Sequence, residues 1–323
     1  MKKIFIIILS IILCGCGNNS SKVSPFERWM QEEGKIKILS TTRMIDDLVE
    51  NIGKEKVAHL ALIVGEIDPH TYELVKGDDE KLNRADIIFY NGLGLEHGAS
   101  LRYRLQNDPK AKSLGDLLYN KEPDQFLVID AQIDPHIWMD VSLWAKTIEI
   151  ITEELIKFDP KEEMFFRKNA DVLKDKMVQL HQKIYTLLQK IPPESRYLVT
   201  SHDAFNYFAR GYLLEGQETD WKKRFIAPEG LAPDGQLSVT DIHRIVDHLI
   251  SHEIGTIFPE SNVSRDSLKK IASVCAQKGL KVNIANVELY ADAMGGKGTS
   301  ADTYFKMMEH DALAIGECLE GVR

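Results

Sequence analysis

The stretch PKEEMFFRKNADVLKDKMVQLHQKIYTLLQKI, Pro160–Ile191, decides how this chain is organised. It has no glycine, and no proline after its first residue. Phe165, Val172, Leu173, Met177, Leu180, Ile184 and Leu187–Leu188 recur at helical spacing. Pro160 suits an early helical position, where a missing N–H costs nothing, and Pro192-Pro193 ends the run. A helix of about 30 residues would extend about 45 Å, enough to cross a whole domain. No strict heptad is sustained, which argues against a coiled-coil arm.

On both sides of this stretch, strand and helix patterns alternate. Upstream, KIKILST (Lys35–Thr41) reads as a strand. Thr42–Ile52 follows as a helix with Met44, Ile45, Leu48, Val49 and Ile52 on one stripe and Gly53 as its stop. Val57–Val64 and Asp86–Gly92 read as further strands around a charged helical stretch near Gly77–Ala85. Downstream, Arg196–His202, Gly255–Ser261 and Lys281–Leu289 read as strands. Asp203–Tyr212, Ser238–His252, Ser264–Lys278 and Ala301–Leu319 read as helices. Such alternation predicts an α/β fold with mainly parallel sheets. The expectation is two Rossmann-like lobes, 35–158 and 192–323, joined by one long rigid helix over 159–191.

The 323 residues, 44% hydrophobic and 28% charged, suit two ordinary globular domains. With 40 basic against 49 acidic residues the net charge is −9, which excludes nucleic acid as the main partner. The first residues are more specific. Lys2 and Lys3 precede the apolar run Ile4–Leu13, too short to span a bilayer as a helix. This is the anatomy of a secretory signal. Its end, Leu13-Cys14-Gly15-Cys16, resembles a bacterial lipobox. Residues 1–15 are therefore expected to be removed, with Cys16 lipidated and 16–34 serving as a flexible tether. Cys275 and Cys318 then remain. They read as small buried hydrophobes, although a disulfide between them stays open.

Candidate chemistry centres on a repeated string. IDPH occurs at Ile67–His70 and again at Ile133–His136. In each copy proline fixes its own φ and holds the preceding aspartate extended, a stiff mount for the imidazole. His202 stands at the end of a strand, just before a helix. All three histidines fall beyond strand carboxyl ends, where open α/β sheets bind ligands. Neutral imidazoles that converge suit a first-row divalent metal, which commonly takes a fourth ligand. Asp292, in ELYADAMGGKG, is one candidate for that ligand and Asp302 is its rival. Glu260 could hydrogen-bond a ligating imidazole or approach the metal, with Glu73, Asp140 and Asp203 as lesser candidates for the supporting role. Trp138 and Tyr72 are expected to pack the cleft. His59, His97, His181, His243, His248, His252 and His310 read as surface or structural.

DPHTYE (68–73), DPHIWMD (134–140), TSHDAFNYF (200–208), IFPES (257–261), LYADAMG (289–295) and TYFKMMEH (303–310) together resemble one known group. It is the TroA/PsaA/ZnuA-like (cluster A-I) metal-binding lipoproteins of ABC importers. The likeness covers nearly the whole chain after the tether. It implies His70, His136, His202 and Asp292 as metal ligands, enclosed between two lobes bridged by a rigid helix. It also implies one divalent transition metal ion, Zn, Mn or Fe, as transported cargo. Permease subunits of an ABC importer would be the partners of a monomer, lipid-anchored on the extracytoplasmic face of the bacterial cell envelope. Two departures leave the metal open. Asp108–Ala131 has no histidine, unlike the His-rich loop of zinc-dedicated members. Manganese-dedicated members often carry Glu where His202 stands. The competing functions are a zinc hydrolase, disfavoured by the lack of H-E-x-x-H, and an adhesin or organic-solute binder on the same scaffold.

Overall fold

The computed structural model describes residues 24–233 and 237–320; the signal, Cys16 and the first part of the expected tether lie outside them. β1 (Ile36–Ser40), β2 (Val57–Ala61), β3 (Ile87–Tyr90) and β4 (Ala111–Ser113) form a parallel sheet in the order β2-β1-β3-β4. Successive side chains of a strand point to opposite faces, and both faces are covered. Ile38, Val57, Ile87 and Phe89 enter the main core, while Leu39, Ala58 and Ile88 enter a second cluster. That second cluster contains Trp29, from a helix at Pro25–Gln31 with a Ser24/Glu27 capping box. Trp29 Nε1 donates to Ala58 O at 3.0 Å. Part of the stretch expected as tether is thus docked on the sheet.

The helix Arg43–Gly53 buries the predicted stripe, Met44, Ile45, Leu48, Val49 and Ile52. Gly53 is needed for space: a Cβ there would lie 2.4 Å from Val57 Cγ2, and it is Lys54 that takes the positive φ, 43°. Further on, β5 (Val128–Ile129) and β6 (Gln132–Ile133) pair antiparallel. Asp130 and Ala131 between them have φ of 47° and 65°, both positive as a tight hairpin turn demands. This hairpin delivers Asp134-Pro135-His136 directly into the interior.

The long helix spans Glu163–Leu188, 26 residues, after a 3-10 turn at Pro160–Glu162. Its buried stripe is Phe166, Asn169, Ala170, Leu173, Met177, Leu180, Ile184 and Leu188. The stripe is offset from the predicted one: Val172 is 46% exposed and Phe165 only half-buried, because Ala170 and Asn169 complete the inward face. Asn169 Nδ2 donates to Ile52 O at 3.0 Å, bridging to the first-lobe helix. The long helix also packs on Thr147–Phe158 and on the C-terminal helix Tyr304–Glu320. One continuous core therefore runs through both lobes and the helix between them.

The second lobe repeats the α/β scheme with shorter ladders than predicted. β7 (Leu198–Val199) pairs parallel with β8 (Phe225–Ile226), and β9 (Thr256–Ile257) with β10 (Asn283–Ile284). The Phe258 amide donates to Val199 O at 2.8 Å, joining the two pairs. Beyond the ladders, isolated parallel bridges reappear at His202–Glu229 and Glu260–Leu289. The segment predicted as one helix, Asp203–Tyr212, is instead a 3-10 turn, a short α turn and a π turn ending at Leu213. Cys275 and Cys318 are unpaired. Among the described residues no helix is long and apolar enough to cross a membrane.

Candidate metal centre

Two of the converging histidines come from the first lobe. The Asp68 carboxylate accepts the His70 amide at 2.8 Å and the Thr71 hydroxyl at 2.7 Å, closing a turn around Pro69. His70 O accepts the amides of His97 (3.2 Å) and Gly98 (3.0 Å). The second copy starts in the same way: Asp134 Oδ1 accepts the His136 amide at 2.9 Å. It then departs, because His136 Nδ1 also lies 2.7 Å from Asp134 Oδ1. A carboxylate only accepts, so Nδ1 carries the proton and Nε2 faces the cluster. Asn206 Nδ2 donates to the other Asp134 oxygen at 3.0 Å, and the Tyr207 hydroxyl to Asp134 O at 3.0 Å. Asn91 Nδ2 donates to Pro135 O at 3.0 Å.

The second lobe supplies His202 and Asp292. Glu260 Oε1 accepts the amides of Ser201 (2.8 Å) and His202 (2.9 Å). Its Oε2 lies 2.5 Å from His202 Nδ1, a charge contact outside hydrogen-bond angles. Asp292 follows the Glu260–Leu289 bridge. Trp138 Nε1 reaches across from the first lobe to donate to Ala291 O at 2.8 Å, and the Tyr304 hydroxyl donates to Trp138 O at 2.6 Å. The Trp138 ring lies edge-on to His136, 5.3 Å between centroids, so this side of the cluster is closed by apolar surface.

The four side chains meet. His70 Nε2 and His136 Nε2 are 3.2 Å apart. Asp292 oxygens lie 3.0 Å from His202 Nε2, 3.4 Å from His136 Nε2 and 3.8 Å from His70 Nε2. Exposure is 0% for His136 and His202 and 2% for His70 and Asp292. Four donors at about 2.1 Å from one ion stand roughly 3.4 Å apart at the corners of a tetrahedron. The four spacings given above are of that size, all the ligand atoms lie within 4.8 Å of one another, and the residues could hold one metal ion. His202 Nε2 and Asp292 Oδ1 are buried and contact only other members of the cluster among the ion pairs described, Asp292 Oδ2 at 3.0 Å and His136 Nε2 at 3.4 Å, contacts that a bound cation would replace.

The charges fit that reading. Burial opposes the charged form of His136, yet Asp134 and Asp292 outweigh it and hold this group up at about 9. Burial likewise opposes charge on His202, but Glu260 and Asp292 raise it well above the usual range. His70 goes the other way: burial, with the neighbouring imidazoles, holds it well below. Asp292 is held well below the carboxylate range, against burial, by His202 and His136. A cavity of about 430 Å³, lined by His70, His97, Gln132, Pro135, Asp203 and Gly230, reaches the His70 side of the cluster.

The remaining candidates lie elsewhere. Asp302 pairs with Lys306 at 2.8 Å and accepts the Gly298 amide. Glu73 accepts the Ala99 and Ser100 amides at the start of the helix Ala99–Asn107. Asp140 caps the short helix Val141–Trp144. Tyr72 belongs to the second cluster of the first lobe, its hydroxyl donating to Asp78 at 2.7 Å, and does not pack the cleft as expected. The ring contact of Asp134 escapes a sequence reading that treats both aspartates as mounts. Its one signal is the next residue after each motif: Thr71 takes the second oxygen of Asp68, whereas Ile137 has no hydroxyl to compete.

Residues 38–318 match the family described as ZnuA, zinc-uptake complex component A, periplasmic. The chain belongs to the ZnuA family. Within this family's wider kin, it is 39% identical to the metal-binding protein YtgA of Chlamydia trachomatis over 98% of this chain and 96% of that one. It is 31% identical to the manganese-binding lipoprotein MntA of Bacillus subtilis, covering 98% and 97%. Two solved structures show the likeness of fold. Fe(III)-bound YtgA from Chlamydia trachomatis superposes with a TM-score of 0.83, covering 88% of this chain and 98% of that one. The periplasmic zinc-binding protein TroA from Treponema pallidum gives 0.80 at 30% identity, covering 88% and 99%. The names and descriptions of these relatives thus mention iron, manganese and zinc.

Proposed function

We propose that this protein captures one transition metal ion, Zn, Mn or Fe, outside the cytoplasmic membrane and delivers it to the permease of an ABC importer. His70, His136, His202 and Asp292 are the ligands, and Cys16 carries the lipid that keeps the protein at the membrane. The supporting observation is the set of four buried donors, drawn from both lobes, whose ligand atoms all lie within 4.8 Å of one another. Three imidazoles and one carboxylate suit borderline cations, and the spacing leaves Zn²⁺, Mn²⁺ and Fe²⁺ all eligible. Catalytic zinc sites keep a position open for water. Four protein donors would leave less room for a catalytic water than three, which favours capture over hydrolysis. The lobes proposed at 35–158 and 192–323 would close on the ion from either side of the helix. The test is elemental analysis of protein purified without chelator, then competition titration with the three cations. One equivalent bound, and lost in His202→Ala, is expected; unchanged binding in that variant would overturn the reading.

A further inference from the structure

A second pair of imidazoles lies outside the central cluster, in the string DHLISHE (Asp247–Glu253). His248 sits in the last turn of the helix Val239–Ser251, and His252 is its C-cap. The His252 amide donates to His248 O at 3.2 Å, so the two side chains stack one helical turn apart. Their rings are 4.6 Å apart between centroids, tilted by 58°. Histidines at i and i+4 can bring two nitrogens to one metal, as in helical metal motifs. Three further observations bear on this pair. His248 Nε2 is buried and has no hydrogen-bond partner. Tyr197 stacks face-on against His252 at 4.2 Å and stands edge-on to His248 at 6.0 Å, which fixes the His252 ring. The negative end of the helix lies at this turn, and it favours a cation.

The charges that act on the pair, Arg244 on His248 and Arg224 on His252, are each engaged elsewhere. Arg224, over the Tyr197 ring, is held to Glu218 at 2.8 Å. Arg244 is turned to Ala227 O at 3.0 Å, and Asp247 to Lys278. Glu194 and Glu253 line the adjoining cavity of about 460 Å³ together with His252. Burial, with the charges of His252 and Arg244, holds His248 at about 4, so its ring is neutral at pH 7.

We propose that His248 and His252 form a second, two-imidazole chelate for a late first-row divalent cation, with solvent completing the coordination. Two nitrogen donors without geometric enforcement follow the general affinity order, so Cu²⁺ binds ahead of Zn²⁺. This chelate is independent of the central cluster.

The experiment uses the full chain with all three central imidazoles removed by His70→Ala, His136→Ala and His202→Ala, titrated with Cu²⁺ and Zn²⁺. Calorimetry gives stoichiometry, and electron paramagnetic resonance counts nitrogens on Cu²⁺. One Cu²⁺ equivalent with two imidazole nitrogens is expected, with Zn²⁺ roughly tenfold weaker or more. His252→Ala, or His248→Phe (which keeps ring volume in the half-buried position), should weaken Cu²⁺ by roughly tenfold or more. No Cu²⁺ equivalent, fewer than two nitrogens on it, or binding that survives both substitutions would overturn the proposal. None of these results depends on what the central cluster binds.

Discussion

Glu260 holds His202 from two directions: one oxygen accepts the Ser201 and His202 amides, while the other lies 2.5 Å from His202 Nδ1. Backbone and ring are both oriented by one buried carboxylate, which also favours positive charge on the imidazole. Glu260→Gln keeps an acceptor for the amides and removes that charge. Replacing such a supporting group typically lowers metal affinity about 10–100-fold. That loss is expected in competition titration, with the folded spectrum unchanged. An affinity equal to wild type would show that Glu260 serves the backbone alone.

Protons compete with the ion. In the metal-free protein His136 is held at about 9, and His202 well above its ordinary value, by the carboxylates that override their burial. Near pH 7 His136 therefore carries a proton that a metal must displace, and the raised His202 acts in the same direction. Binding should release protons, and affinity should climb as pH rises from 7 toward 9 and fall on acidification. Calorimetry in two buffers of different ionisation heat reads the release directly. Identical apparent heats in both buffers would contradict it.

Arg43 ties the first lobe to the loop that begins at Asp292. Its guanidinium donates to Gly295 O at 2.6 Å and Asp302 O at 2.8 Å. Arg43→Ala frees both ends of this loop and should speed metal dissociation by about tenfold, the equivalent of one charged hydrogen bond. Stopped-flow chelator competition measures this. A change confined to the unfolding midpoint of metal-free protein would assign Arg43 a purely structural role.

Asp47 carries a separate pH signature. Burial above all, with Glu50 and Asp46 adding, pushes its carboxyl up to about 7. In the unfolded chain an aspartate titrates near ~3.9. Between these values the folded state keeps a proton the unfolded state has lost, so stability falls as pH rises from about 4 to about 7. Asp47→Asn removes that dependence. The variant's stability relative to wild type should grow across this window, by on the order of a few kcal/mol. Denaturant unfolding at pH 4.5 and pH 8 checks it; a difference that does not change with pH would be the contrary result.

The convergence of the four candidate side chains was legible because they stand in local strings at strand ends. A proline stiffens each IDPH mount, and the alternation of strand and helix says where strands end. What local strings do not carry is the difference between the two copies: Asp134 braces an imidazole, while Asp68 spends its second oxygen on Thr71. The long helix was evident from its lack of Gly and Pro, but its inward face was not. Asn169 and Ala170, weak hydrophobic signals, occupy the core stripe, and Val172 faces out. The helix at Pro25–Gln31 was hidden in a polar neighbourhood, and only the docking of Trp29 under Ala58 O reveals its purpose. Second-lobe strands looked longer than their ladders because apolar residues continue past the last paired position into the bridges at His202 and Glu260.

The most direct test is a crystal structure of metal-loaded protein, with anomalous data collected across the absorption edge of the bound element. One anomalous peak, within bonding distance of His70 Nε2, His136 Nε2, His202 Nε2 and an Asp292 oxygen, is the predicted result. A peak elsewhere with these four side chains still packed against each other would contradict it.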